Sequence, residues 1–174
     1  MTQALGAEWS RPFFLTLLAA AYGKAGRGEE GLSVVAEVLA VVDKTEIRVE
    51  EAELYRLKGT LTLQSQTSLG PVSDKSQTSQ DRSEIPSPQP LTPSTQVEVE
   101  QEAEECFLKA IDISRKQQAK SLELRATMSL ARLWQQQGKK TEGHQMLSKV
   151  YNWFTEGFDT KDLQEAKALL AELR

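Results

Sequence analysis

His144 is the only histidine in the sequence, which makes it the first residue to test for catalysis or metal binding. A metal site needs several ligands at suitable spacing, and no second ligand stands near His144 at such a spacing. A general base needs a nucleophile within hydrogen-bond reach, and the sequence places none. We interpret His144 as a surface or groove-edge residue. We expect a protein that is not an enzyme and holds neither metal nor cofactor.

A glycine-rich stretch at 23–28, with the sequence GKAGRG, suggests a phosphate-binding loop at first sight. The phosphate-loop motif needs four residues between its first glycine and a Gly-Lys-Ser/Thr, and it follows a strand. Here the order differs and helical patterns flank the stretch, so we interpret it as a turn between helices. The single cysteine, Cys106, cannot form an internal disulfide. We interpret it as a half-buried, unreactive thiol.

Two further patterns have ordinary explanations. Five glutamates enter a predicted helix, at Glu98, Glu100, Glu102, Glu104 and Glu105. Carboxylates near a helix N-terminus interact favourably with the helix dipole, so this run requires no bound cation. Pro90 and Pro93 have the spacing of a polyproline ligand, but such spacing is common in proline-rich stretches, and we interpret this one as a linker.

The overall composition is that of a globular protein, with 39% hydrophobic and 26% charged residues. The formal net charge of −4 argues against nucleic-acid binding, which needs a concentrated basic excess, and against attraction to anionic lipid. No apolar run is long enough to span a membrane, and no secretory signal precedes the first predicted helix. We therefore expect a cytoplasmic protein without nucleic-acid or membrane partners.

The chain is interrupted at 64–96, where five of the six prolines lie among many Ser, Thr and Gln residues. Such a stretch cannot bury enough apolar surface to offset its ordering entropy, so we expect a disordered insertion. The rest divides into 1–63 and 97–174, which together form one domain.

Outside the insertion, apolar residues recur at spacings of three and four, which predicts an all-α fold. In the first helix the predicted buried stripe contains Phe14, Leu17, Leu18, Ala21 and Tyr22. Seven helices are predicted. The first covers 12–25 with Ser10 as its cap, the second covers 29–43, the third is capped by Thr45, and the fourth covers 97–118. The fifth is capped by Ser121, the sixth ends by Gly157, and the seventh is capped by Asp159 or Thr160. The predicted core is built on Leu18, Tyr22, Val35, Leu57, Phe107, Leu130, Trp134 and Leu147.

Two of the predicted helical pairs repeat each other at one constant offset along the chain. The matching positions are Leu18/Leu130, Ala19/Ala131, Tyr22/Trp134, Gly26/Gly138, Gly31/Gly143, Val35/Leu147 and Val38/Val150. A third pair fits between them, with Leu57 and Leu61 on its first helix and Ala103, Phe107 and Ala110 on its second. Without the insertion, Leu18, Leu57 and Leu130 are nearly evenly spaced, with a period that falls within the range of helical solenoid repeats.

This pattern resembles the tetratricopeptide repeat, with Lys58 as a departure where the second unit wants a small residue. The resemblance implies a right-handed solenoid of three helix pairs with a C-terminal capping helix. The wording at 11–15, 21–26, 53–59 and 153–163 is also similar to the C-terminal repeats of bacterial signalling ATPases and adenylate cyclases, in the manner of the maltose-regulon activator. The ATPase and cyclase domains of those proteins are missing here.

In such repeats the first helix of each pair lines the concave side, and the resemblance places a partner-binding groove there. The groove-facing positions carried over are Phe13, Thr16, Lys24, Tyr55, Arg56, Thr62, Arg125, Met128, Ser129, Arg132 and Gln135. Arginine binds carboxylate in a bidentate way, so these cations suit a protein or an acidic peptide. The alternative is an ordinary solvated face whose cations pair with nearby glutamates. If the groove binds a partner, we expect Arg56→Glu with Arg132→Glu to abolish binding without lowering the melting temperature.

Three hypotheses for function remain open. The leading one is a non-catalytic interaction scaffold or regulatory module, as the tail of a signalling protein. The second is a small-molecule effector site in the groove, and the third is a truncated gene fragment. An apolar N-terminal edge without a capping helix would also favour self-association.

Overall fold

The computed structural model describes the backbone of residues 5–45, 48–67 and 93–174, and the side chains of 14–44, 48–65 and 95–174. Within these ranges the chain forms seven α-helices and no strand, which confirms the all-α prediction. The helices are α1 Leu5–Lys24, α2 Gly28–Thr45, α3 Glu51–Thr67, α4 Pro93–Lys116, α5 Lys120–Gln136, α6 Lys140–Tyr151 and α7 Lys161–Glu172.

The helices extend further into the predicted insertion than the sequence pattern indicated. α3 continues to Thr67, and α4 begins at Pro93 rather than near Val97. A proline is tolerated at the first helical position because its missing N–H would have no intrahelical acceptor there. The predicted disorder of 64–96 therefore fails at both ends, and its remaining part, 68–92, lies outside the described residues.

Three predicted helix starts also differ. α3 begins at Glu51, and Thr45, its predicted cap, is the last residue of α2. α1 begins at Leu5, so Ser10 and Pro12 lie inside it rather than at its start. α5 begins at Lys120 after Ala119, so Ser121 lies in its first turn. Thr160 is the residue before α7, as predicted, but its hydroxyl donates to the Gly157 carbonyl oxygen at 2.7 Å instead of capping the helix.

Each helix packs against the next one along the chain, and the odd-numbered helices also pack against each other in sequence. Three apolar clusters follow this order. The first joins α1, α2 and α3, the second joins α4 and α5 with partly buried residues of α3, and the third joins α5, α6 and α7. The odd-numbered helices therefore share one side of the molecule.

Small residues set the closest helix crossings in the second pair (α3 and α4) and the third pair (α5 and α6). A Cβ added to Gly59 would lie 2.7 Å from the Phe107 ring and 3.0 Å from the Ala103 carbonyl oxygen. In the third pair, Gly143 lies against Ala131, where an added Cβ would stand 3.4 Å from the Ala131 carbonyl oxygen. Gly59 is thus the counterpart of Ala131, which corrects the predicted register of the second pair by one residue. Lys58 instead reaches Glu102, at 3.0 Å.

The turn predicted at 23–28 is confirmed at 25–27, between α1 and α2, whereas Gly23, Lys24 and Gly28 are helical. Gly26 adopts a φ of +72° and Gly138 a φ of +80°, a left-handed backbone that favours glycine. The two glycines follow the ends of the matching helices α1 and α5, at the equivalent positions that the repeat predicts.

α1 buries a different face from the one predicted. Phe14, Leu17 and Leu18 are 63%, 52% and 42% exposed, whereas Ala19 is fully buried. α1 is apolar on both faces, so its periodicity could not distinguish the packed face from the exposed one. Of the eight residues of the predicted core, Leu18 is exposed, Tyr22 and Trp134 are half-buried, and the remaining five are buried. Among the described helices, none combines the length and the apolarity that a membrane crossing requires.

Candidate functional site

The odd-numbered helices α1, α3 and α5 enclose a cavity of about 420 Å³, which we call the groove cavity. Four of the residues predicted to line a binding groove lie in its wall: Thr16 and Lys24 of α1, Arg56 of α3, and Arg125 of α5. Their meeting follows from the packing of α1 on α3 and of α3 on α5. The cavity therefore brings together positions that lie far apart in the sequence, such as Thr16 and Arg125.

Glu53 organises the charges of the groove cavity. Its two oxygens accept hydrogen bonds from Arg56 Nε at 2.9 Å and Arg56 Nη2 at 2.7 Å, a bidentate pair. Arg125 Nη2 lies 3.1 Å from the same carboxylate, and Arg125 Nε lies 3.8 Å from Asp162 of α7. The side chains of Arg56 and Glu53 are only 16% and 10% exposed. This cluster ties α3, α5 and α7 together.

The sequence analysis missed Glu53. The signal that could have found it is the spacing of three between Glu53 and Arg56, which brings two side chains together on a helix. Arg125 lies on a different helix, beyond the predicted insertion, and no local pattern links it to either residue. The alternative of cations paired with nearby carboxylates therefore applies to Arg56 and Arg125.

Among the side chains that line the groove cavity, cations outnumber carboxylates by one, although Asp162, outside the lining, also pairs with Arg125. Lys24, Arg56 and Arg125 line it together with two carboxylates, Glu50 and Glu53. Lys24 is exposed and enters no ion pair with the described side chains. An incoming carboxylate would thus find an exposed ammonium beside two guanidinium groups that already share a carboxylate.

Other predicted groove residues lie elsewhere. Tyr55 lines a separate depression of about 520 Å³ between α3 and α4, because adjacent helix positions point about 100° apart. Met128 belongs to the apolar cluster that includes α7 and is 3% exposed. Thr62 is buried, with 6% exposure. None of these three lines the groove cavity.

The remaining predicted residues flank the cavity or lie outside the described side chains. Ser129 donates its hydroxyl to the Arg125 carbonyl oxygen at 3.1 Å. Arg132 pairs with Glu165 of α7 at 3.3 Å, and Gln135 is half-buried further along α5. The side chain of Phe13 is outside the described set, although its backbone belongs to α1.

His144 and Cys106, the residues first considered for catalysis or metal binding, do not line the groove cavity. His144 Nδ1 lies 3.5 Å from Ser148 Oγ on α6. Among the described side chains, no group of three or more His, Cys, Asp or Glu residues is arranged to hold a metal ion. Cys106 is buried, and burial raises the pKa of its thiol, an effect that nearby Lys58 partly opposes. A raised pKa keeps the sulfur protonated and poorly nucleophilic.

Comparison of the chain with protein-family models, with curated proteins and with solved structures gave no match.

Proposed function

We propose that the chain is a non-catalytic interaction scaffold, built as a tetratricopeptide-type solenoid, that binds an acidic peptide segment in the groove cavity. Three features support the solenoid. The helices pack in sequential order, the odd-numbered helices pack on each other, and small residues stand at the crossings of the second and third pairs. We also propose that the chain is the tail of a bacterial signalling ATPase or cyclase-type protein. This wider assignment rests only on the sequence similarity of the repeats.

The observation that carries the binding proposal is the charge of the groove cavity. Arginine and lysine side chains that are held in place lose less conformational entropy on binding a carboxylate. Arg56 is held by Glu53, and Arg125 is held between Glu53 and Asp162. Lys24 supplies a further positive charge at the same cavity. An acidic side chain can therefore bind without first breaking the Arg56–Glu53 pair.

The expectation that Arg56→Glu would leave the melting temperature unchanged requires correction. This substitution would place a second carboxylate against the buried Glu53 and would break its bidentate pair. Breaking a buried pair by removing one partner is strongly destabilising, so the melting temperature would fall as well. Lys24→Gln with Arg125→Gln is the better variant, because Arg56 then still satisfies Glu53. Arg132→Gln is the matched control, since Arg132 pairs with Glu165 and does not line the cavity.

A fluorescein-labelled dodecapeptide rich in Glu and Leu is the probe, and its Glu→Lys counterpart is the charge control. We expect the acidic peptide to bind and the double variant to weaken its Kd about tenfold or more, as for lost hydrogen bonds between charged groups. Arg132→Gln should bind like the parent, with all melting temperatures compared. Equal anisotropy changes for both peptides, or an unaffected double variant, would refute the proposal.

The volume of the groove cavity favours a second candidate. About 420 Å³ lies within the range of small-molecule sites, which supports an effector-sensing role for the same residues. A saturable rise in melting temperature with a small dicarboxylate such as succinate, lost in the double variant, would favour this role over a peptide scaffold. The truncated-fragment hypothesis predicts neither response.

The exposed stripe of α1 supports a further part of the proposal, self-association through this edge. Phe14, Leu17 and Leu18 are exposed apolar side chains of α1, and Leu17 also lines the groove cavity. Sedimentation velocity should show a concentration-dependent dimer that Leu18→Glu abolishes. A monomer at all concentrations would exclude self-association.

A further inference from the structure

The second and third helix pairs each form a cleft at the same edge of the molecule. We call them the Tyr55 cleft, between the end of α2, the start of α3 and α4, and the Trp153 cleft, between the end of α4, the start of α5 and α6. With Gly59 matched to Ala131, the buried Glu51 matches the buried Glu123. The basic residue three positions before each carboxylate matches as well, Arg48 in one cleft and Lys120 in the other.

The matching extends to the second helix of each pair. With Ala103 matched to Gly143, Lys109 on α4 corresponds to Lys149 on α6, and both lysines line their clefts. The two clefts therefore share a framework of one buried carboxylate, one turn cation and one lysine. Because the framework is the same, differences between them point to positions where the surface is specialised.

The Tyr55 cleft neutralises its own charges. Lys109 Nζ donates to the Tyr55 hydroxyl at 2.6 Å and lies 4.0 Å from the centre of its ring. Lys116 pairs with Asp112 at 2.7 Å, and Asp43 adds a further carboxylate to the wall. The cationic and anionic side chains that line this cleft are equal in number.

The Trp153 cleft lacks the two aspartates and the tyrosine. The position of Asp43 is taken by Arg115, that of Asp112 by Asn152, and that of Tyr55 by Thr127. Lys149 consequently has no tyrosine to hold it and enters no ion pair with any side chain that the structure describes. Three cations line the cleft against one carboxylate, in a chain whose net charge is −4.

Glu123 fixes two of these cations in position. It is 3% exposed and accepts hydrogen bonds from Arg115 Nε at 2.7 Å and from Lys120 Nζ at 2.7 Å. Burial alone would raise the pKa of the Glu123 carboxyl, but the hydrogen bonds and the positive charges of Lys120 and Arg115 together hold the pKa below its usual value. Arg115 uses only Nε here, which leaves its two terminal nitrogens for another acceptor.

Trp153 supplies a flat apolar wall beside the cations. It occupies the position of Ile113 in the other cleft, and its side chain is 58% exposed. The Phe154 ring packs edge-on against it at 5.3 Å, and Lys120 Nζ lies 5.6 Å from the centre of the indole. The exposed indole can stack on an aromatic ring, and the cations beside it can bind an anionic group.

We propose that the Trp153 cleft binds an aromatic phosphate monoester, with its ring against Trp153 and its phosphate between Lys149 and Arg115. A phosphate monoester carries about −1.5 to −2 charges at neutral pH, which matches the cationic excess of the cleft. Guanidinium and ammonium donors suit its three oxygens. The cleft volume of about 320 Å³ accommodates a single ring with its phosphate. This chemistry occurs in nucleotides and in phosphotyrosine side chains.

Phenyl phosphate is the first probe, titrated into the full chain by calorimetry, with inorganic phosphate for comparison. We expect saturable binding of phenyl phosphate that is tighter than that of inorganic phosphate. Lys149→Gln should weaken it about tenfold or more, as for a lost hydrogen bond between charged groups. Lys109→Gln, the matched control in the Tyr55 cleft, should leave it unchanged. Trp153→Leu should remove the preference for phenyl phosphate over inorganic phosphate.

Two further ligands distinguish the sources of this chemistry, adenosine monophosphate and a capped Gly-phosphotyrosine-Gly peptide. Lys149-dependent binding of either supports the proposal, and the tighter of the two identifies the source. Absence of saturable phenyl phosphate binding, or equal losses for Lys109→Gln and Lys149→Gln, would overturn it. Lys149-dependent binding of hexaglutamate with no response to phenyl phosphate would also overturn it, in favour of an acidic peptide. The cleft and its probes are separate from the groove cavity, so either proposal can fail alone.

Discussion

The second helix pair, α3 and α4, and the third, α5 and α6, can be compared position by position. Their crossings match, with Gly59 against Ala103 in one and Ala131 against Gly143 in the other. Their buried carboxylates match as well, Glu51 and Glu123. The clefts beside these carboxylates differ, because the Tyr55 cleft balances its charges and the Trp153 cleft leaves an excess of cations.

The comparison shows which positions packing constrains. Two helices can approach closely only where a small residue stands at their crossing. Each helix pair of the repeat therefore requires a small residue at that position. A side chain at the cleft rim is exposed. The presence of Asp43 in one repeat and of Arg115 at the matching position of the next therefore changes the stability of the fold little. The repeated framework can therefore carry different surfaces, and a departure between repeats is where a specific ligand should be sought.

The largest expected effect is on the free energy of unfolding, and it tests whether the cores of the second and third helix pairs contribute equally. Phe107 and Leu147 occupy matching positions and are 1% and 0% exposed. Phe107→Ala should lower the free energy of unfolding by about 3–5 kcal/mol and Leu147→Ala by about 2–5 kcal/mol, through lost burial and a residual cavity. Denaturant unfolding measures both. A loss below about 1 kcal/mol for either residue would show that the cores of the two helix pairs are not equivalent.

Gly59→Ala and Gly143→Ala should have opposite effects. A Cβ at Gly59 meets the Phe107 ring at 2.7 Å and a carbonyl oxygen at 3.0 Å, so the second pair should lose about 1–3 kcal/mol through overpacking. At Gly143 the nearest atom is 3.4 Å away, an ordinary contact. Alanine there should stabilise the helix by up to about 1 kcal/mol. Thermal melts of the two variants provide the comparison, and equal shifts would contradict the assigned register.

The smallest expected effect is the pH dependence of the buried carboxylate. The pKa of Glu123 is held below its usual value, so its contribution to stability is present above about pH 4.5 and is lost as the pH falls through the lowered pKa. Glu123→Gln should cost about 1–2 kcal/mol at pH 7, a range reduced because Arg115 and Lys120 are partly exposed.

The difference between the parent and Glu123→Gln should then shrink below pH 4.5. Glu51→Gln is the matched control and should cost less, because Glu51 has one described cationic partner, Arg48 at 3.2 Å, where Glu123 has two. Urea unfolding between pH 3 and pH 7 measures both variants. A constant difference for Glu123→Gln across this range would contradict the assigned role of the carboxylate.

Four of the groove positions carried over from the tetratricopeptide resemblance, Thr16, Lys24, Arg56 and Arg125, line the groove cavity. Tyr55 and Met128 do not line it, because a helix position one or two residues away points in a different direction. Glu53, which holds both arginines, stands close to one partner in sequence and close to the other only in space.

By itself the sequence determined that the described parts of the chain are helical, where α1 and α5 end, and that two helix pairs repeat each other at a constant offset. These are local properties, set by apolar periodicity and by glycines that adopt a left-handed backbone. The tertiary structure decided which face of α1 is buried, which residue stands at the crossing of the second pair, and which charges meet in each cleft. Those depend on contacts between residues far apart in the chain, and an apolar or charged residue has the same identity whether a neighbouring helix covers it or not.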